Sequence, residues 1–235
     1  MRLLVALSVA AAVLVQSTGL ALAQTASPVP AGSTMVSAAT PDLAGTWDAI
    51  TRTQGGIGRT VLLSRDSAFT LVLGAMVDLK YKVAGEKFTF FYDEPGHRGS
   101  ETQTLKFVAG NPVFSGNGCS RKLTRLDPQA PDSGLVGRWK SIHMTGVPAY
   151  EQYTSDGLIR LRVPIQVERG SFSMTGDAIT FHTVSPRRQD SSMQFNLKGD
   201  TLTFSVGGGQ YAYLRAGPLI PFDVEQPAPP ARMVC

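Results

Sequence analysis

The 235-residue chain carries 22 Lys and Arg against 18 Asp and Glu, with 43% hydrophobic residues and two cysteines. That hydrophobic content suits a folded core and excludes a disordered chain. The net charge of +4 comes without a long basic run, so nucleic acid is not expected as a partner.

The chain opens on a pattern that reads as an export signal. Arg2 precedes the apolar run Leu3–Val15, and Ala21-Leu22-Ala23 offers the small residues of a cleavage site. The run is too short to span a bilayer, and no cysteine follows it that would take a lipid anchor. Residues 1–23 are therefore expected to be removed. The mature chain then starts near Gln24, carries no transmembrane span, and is secreted or periplasmic.

Residues 24–42 are a flexible leader of Ala, Ser, Thr, Pro and Gly. A Pro-, Asp- and Gly-bearing linker at 127–134 separates two bodies, 43–126 and 135–216. The segment 217–235 is Pro-rich and reads as an extended strap.

The two bodies match. Leu43-Ala44-Gly45-Thr46-Trp47 answers Leu135-Val136-Gly137-Arg138-Trp139 at a displacement of 92. Tyr81 to Phe90 answers Phe172 to Phe181 at 91, and Phe114 to Arg125 answers Phe204 to Arg215 at 90. A near-constant offset over three separated blocks marks an internal duplication. Period-two runs dominate both copies, as at Val61, Leu63, then Phe69, Leu71, Leu73, then Leu79, Tyr81, Val83. The pairs at 85–86, 176–177, 199–200 and 207–208 place glycine where tight hairpins turn. No capped amphipathic run predicts a helix. About eight short strands per copy is the number at which a sheet closes around its own side chains or one small ligand.

Little points to catalysis. His97, His143 and His182 have no metal-ligand spacing, and each reads as a loop or strand surface residue. Asp93-Glu94 adjoins Pro95-Gly96 and reads as a polar hairpin end, while Gly207-Gly208-Gly209 precedes a strand rather than a helix and reads as a turn. The short clusters Arg121-Lys122 and Arg187-Arg188 read as solvated strand or loop. No catalytic residue, cofactor or metal ligand is nominated. Two cysteines in an exported chain suggest one disulfide, Cys119–Cys235, with two free thiols or an intermolecular bridge as the alternatives. Such a bridge would contribute up to about 4–5 kcal/mol on the chain-entropy model.

Gly-x-Trp on an opening strand with an Arg near the end of the last strand resembles lipocalins and related calycin barrels. Each copy also looks like the short bacterial lipocalin-like domains, whose hairpins repeat Tyr/Phe-x-x-x-Gly-Asp-x-Leu/Ile-Thr. The resemblance covers about 43–126 and 135–216. It implies an all-β fold of two tandem, small antiparallel barrels, with Trp47 paired to Arg125 and Trp139 paired to Arg215. The guanidinium would lie on the indole face and bind backbone carbonyls. The resemblance further implies a non-enzymatic binding protein for a small apolar or envelope-derived ligand, or for a protein surface. A secreted barrel-type protease inhibitor and an enzyme using a barrel cavity are the alternatives.

Overall fold

The computed structural model describes residues 41–94, 97–127, 134–184 and 190–228. The signal segment, the leader up to residue 40, linker residues 128–133 and Cys235 lie outside the described residues, and with Cys235 the proposed bridge to Cys119.

Among the described residues the chain is all β and contains no helix. The first copy forms β1 (Gly45–Ala49), β2 (Ile57–Leu63), β3 (Ala68–Ala84), β4 (Lys87–Glu94), β5 (His97–Val108), β6 (Asn111–Gly116), β7 (Cys119–Lys122) and β8 (Thr124–Arg125). The second forms β9 (Gly137–Ile142), β10 (Pro148–Tyr153), β11 (Leu158–Thr175), β12 (Ala178–Thr183), β13 (Ser191–Lys198), β14 (Thr201–Val206) and β15 (Gly209–Ala216). Every pairing is antiparallel. The strands follow one another as β7-β6-β5-β4-β3-β2-β1-β15-β14-β13-β12-β11-β10-β9-β8, with a further pairing of β3 to β11. The duplicated blocks occupy equivalent hairpins, with Tyr81 opposite Phe90 and Phe172 opposite Phe181. Two equivalent turns show why their residues are what they are. Asn117 and Gly118 have φ of 52° and 79°, and Gly207 and Gly208 have 55° and 82°. A two-residue turn whose twist matches the strands requires both values to be positive.

β3 and β11 have 17 and 18 residues, more than twice an ordinary strand, and each serves two neighbours. β3 pairs with β2 over its first half and with β4 over its second. β11 pairs first with β10 and then with β12. The two long strands also pair with each other from Leu158↔Lys80 to Ser171↔Ala68, with a register shift between Pro164 and Gln166. Pro164 sits at that irregularity, where a missing ladder donor is tolerated. Gly74 faces it, and a Cβ there would come within 2.4 Å of the Val163 carbonyl oxygen.

These pairings make two circuits. One runs β3-β2-β1-β15-β14-β13-β12-β11 and returns to β3. The other runs β3-β4-β5-β6-β7, continues along the chain into β8, then β9-β10-β11, and returns to β3. Neither circuit is one repeat. The first combines the start of copy one with the end of copy two, and the second combines the remainders. The expectation that each copy closes on itself is therefore corrected. The cause is local: no turn interrupts β3 or β11, so each carries the chain out of one circuit and into the other.

The Trp–Arg pairs record the exchange. Arg215 lies over Trp47, with Cζ 4.2 Å from the ring centroid, and Arg125 lies over Trp139 at 4.3 Å. The expected pairs Trp47–Arg125 and Trp139–Arg215 are thus replaced by Trp47–Arg215 and Trp139–Arg125, because β1 pairs with β15 and β8 with β9. Both indoles are fully buried, and each Nε1 donates to a carbonyl four residues back, Leu43 or Leu135, at 2.8 Å. Arg215 donates to the carbonyls of Ala44 and Asp42, at 2.8 and 3.3 Å. In a Trp47→Phe background, Arg125→Ala should red-shift the remaining Trp139 emission and lower stability by about 0.5–2 kcal/mol. Arg125→Ala acting instead on Trp47, in a Trp139→Phe background, would contradict the exchanged pairing.

Inside the first circuit, Trp47, Val61, Leu63, Phe69, Phe172, Ile179, Leu202 and Phe204 form one core. Inside the second, Phe88, Leu105, Phe114, Leu123, Trp139, Tyr153 and Ile159 form another. The outer faces of β2, β3 and β10 meet the strap. Leu219, Ile220 and Val224 are buried against Leu62, Val72 and Tyr150. Thr70 Oγ1 donates to the Phe222 carbonyl at 3.0 Å, and the Val167 amide donates to Gln226 Oε1 at 2.7 Å.

Candidate functional site

The two interiors differ in what the strands point inward. In the second circuit aromatic rings meet one another. Phe88 and Phe114 lie 4.6 Å apart edge to face, and Phe114 stacks on Tyr153 at 6.0 Å. Glu151, 2% exposed, stands among them with its charge answered on every side. Arg121 pairs with it, Ser141 Oγ donates to it at 2.7 Å, and the Tyr153 hydroxyl donates at 2.6 Å. Burial, followed by the neighbouring Glu151 charge, pushes the Tyr153 phenol well up. The network is satisfied and the interior is occupied.

The first circuit, which includes the Trp47–Arg215 pair, holds a cavity of about 450 Å³. Its walls are apolar: Val61 from β2, Phe69, Leu71 and Leu73 from β3, Phe181 from β12, Met193 from β13 and Phe204 from β14. Its charged, amide and phenolic groups sit in two places. Arg59 from β2 with Tyr211 and Tyr213 from β15 form one wall, and Gln166 with Glu168 from β11 form another. The Arg59 Cζ is 5.6 Å from the Tyr211 ring centroid. Burial raises the Tyr213 phenol pKa, and the nearby Arg59 charge works against that rise. Gln166 Nε2 donates to Glu168 Oε1 at 2.7 Å. Val206, Tyr211 and Ser191 are exposed and frame the opening. Volume and lining fall within the range of small-molecule sites.

Alternation explains the walls. Opposed residues of paired strands share a face, so Leu71↔Glu168 and Leu73↔Gln166 point into the same space. The shift at Pro164–Gln166 moves the inward set of β11 from odd positions such as Ile159 to even positions such as Glu168 and Phe172.

Of the histidines, the His97 side chain lies outside the described residues. His143 Nδ1 lies 2.9 Å from Thr145 Oγ1, and burial, aided by the Arg121 charge, depresses its pKa. His182 makes a contact that residue spacing did not reveal. Its Nδ1 lies 2.7 Å from Asp190 Oδ2 and its Nε2 lies 3.2 Å from Ser173 Oγ. That is the order of a serine relay, but it stands on the outer sheet face with Ser173 exposed and Asp190 58% exposed. Water there competes for each hydrogen bond and screens the charge, so the three residues form a surface hydrogen-bond chain. Asp93, read as a hairpin-end carboxylate, is bound by Arg98 at 2.8 and 2.9 Å. Among the described residues no three His, Cys, Asp or Glu side chains are placed to hold a metal ion. Among them, too, no helix is long and apolar enough to cross a membrane.

Comparison with known proteins finds no matching family model, no matching curated protein and no matching solved structure.

Proposed function

We propose that the chain is an exported, non-enzymatic binding protein of lipocalin-like type, in which each circuit is a small closed barrel and the first carries a small, largely apolar ligand. The apolar cavity of about 450 Å³ inside an eight-strand circuit supports this reading best. Burying a ligand's apolar surface there would be favourable at about 25 cal/mol per Å². The second barrel, filled by aromatic rings and the Glu151 network, acts as the partner that completes the exchanged strands. Enzymatic use of the cavity draws less support. Its titratable groups are Arg59, Glu168, Tyr211 and Tyr213, and no nucleophile–base pair is placed among them. The export signal and the Cys119–Cys235 bridge belong to the same proposal.

The neutral dye N-phenyl-1-naphthylamine tests it. The protein should bind the dye saturably at one site, with enhanced and blue-shifted emission. Leu71→Trp and Met193→Phe, which fill the cavity from two walls, should each weaken binding at least tenfold with the β-sheet spectrum retained. Absence of saturable binding, or binding indifferent to both substitutions, would remove the cavity as the site.

A further inference from the structure

The two interiors treat charge differently, and the difference identifies a class of ligand. In the second circuit Trp139 is opposite Glu151, and in the first Trp47 is opposite Val61. Val61 therefore occupies the place of the internal carboxylate. Likewise Phe114 is opposite Arg121 and Phe204 is opposite Tyr211, so the cation that faces Glu151 has a phenol as its counterpart. The first circuit instead carries its cation two residues before Val61, at Arg59. The equivalent position in the second circuit, two residues before Glu151, is the buried Ala149.

The second circuit thus supplies the anion for its own cation, through Arg121 and Glu151. The buried Arg162 likewise has Asp48 and Asp78. Among the described residues Arg59 has no carboxylate partner; its neighbours are the Tyr211 face and the Tyr213 phenol. The carboxylate that shares the cavity, Glu168, lies on the β11 wall and takes the Gln166 amide. An exposed guanidinium at the lip of an apolar cavity, beside the Tyr211 ring and the Tyr213 phenol and with no carboxylate partner among the described residues, matches an anionic head group in charge.

We propose that the ligand is a single-chain amphiphile with an anionic head. Its chain lies among Phe69, Leu71, Phe181, Met193 and Phe204, and its head is held by Arg59 with the Tyr213 hydroxyl. This inference rests on the cavity being the binding site.

The test uses the full mature chain and displacement of N-phenyl-1-naphthylamine near neutral pH by decanoate, decyl phosphate and 1-decanol. At least one anion should bind tenfold or more tightly than the alcohol, a difference of about 1.4 kcal/mol. Whichever anion binds more tightly identifies the head as carboxylate or phosphate. Arg59→Gln should bring the anion-to-alcohol ratio close to one. Equal binding of all three compounds, or an Arg59→Gln variant that keeps the wild-type ratio, overturns the inference while leaving the cavity reading in place. A protein that binds no dye overturns both.

Discussion

Replacing Arg162 by leucine should lower the unfolding free energy by about 3–5 kcal/mol, read from urea denaturation at neutral pH. The guanidinium is almost fully buried and lies 2.7 Å from Asp48 Oδ2 and 2.8 Å from Asp78 Oδ1. It also donates to the Leu161 carbonyl at 2.9 Å. It joins β11 of the second copy to β1 and β3 of the first, at the crossing of the two circuits. Removing it leaves two carboxylates with lost partners, although Arg52 still reaches Asp78 at 2.7 Å and Thr60 still donates to Asp48 at 2.6 Å. Adding Asp48→Asn and Asp78→Asn to the variant should recover part of the loss, because the cost lies mainly in the uncompensated charge. Burial acts to raise the Asp78 pKa, but the Arg162 and Arg52 guanidinia outweigh it and hold the pKa below 3.8. A depressed carboxylate stabilises the fold fully above its unfolded pKa and loses that contribution as pH falls through the folded value. Stability should therefore decline on acidification below about pH 4. Asp78→Asn, which lacks the titration, should decline less over the same interval. An Arg162→Leu protein as stable as wild type would assign the crossing to apolar contacts alone.

Much of the fold was legible because its signals are local. Alternating hydrophobicity located the strands, glycine pairs located the hairpins, and the displaced blocks located the duplication. Gly-x-Trp with a late Arg also named the four residues that stack. Which copy supplies each partner was not legible in that way. Equivalent strand edges of two copies offer the same hydrogen bonds, so pairing within a copy and between copies is nearly degenerate at the level of residues. The deciding signal is the missing turn. Phe69, Leu71 and Leu73 continue in the same odd phase through Leu79, Tyr81 and Val83, which is the pattern of one strand of 17 residues rather than two short ones. In β11 the phase reverses at Pro164, which hides the continuity and also conceals that Glu168 and Gln166 face inward. Arg59 was the more accessible clue to the site. It shares the phase of Ile57 and Val61, yet its side chain is exposed at the lip of the cavity.

Cleaving the chain within the linker should leave the two halves in one particle. Each circuit draws strands from both copies, so separating them would break β1–β15, β8–β9 and the long β3–β11 pairing together. Those are whole ladders with two apolar cores behind them, not a surface contact between finished domains. A protease site inserted between Pro131 and Ser133 would allow the cut to be made after folding. The fragments should co-elute on size exclusion at the volume of the intact chain, keep both tryptophans buried, and part only in denaturant. The first half expressed alone, residues 43–126, should lack the second-copy partners of β1, β3 and β8, and should either remain unfolded or recruit a second copy of itself in place of the missing repeat. Were each copy instead an independent barrel, the cut protein would separate into two folded monomers and the isolated first half would unfold cooperatively as a single small domain. The two outcomes differ in particle mass by about a factor of two, so the measurement decides between them without reference to any ligand.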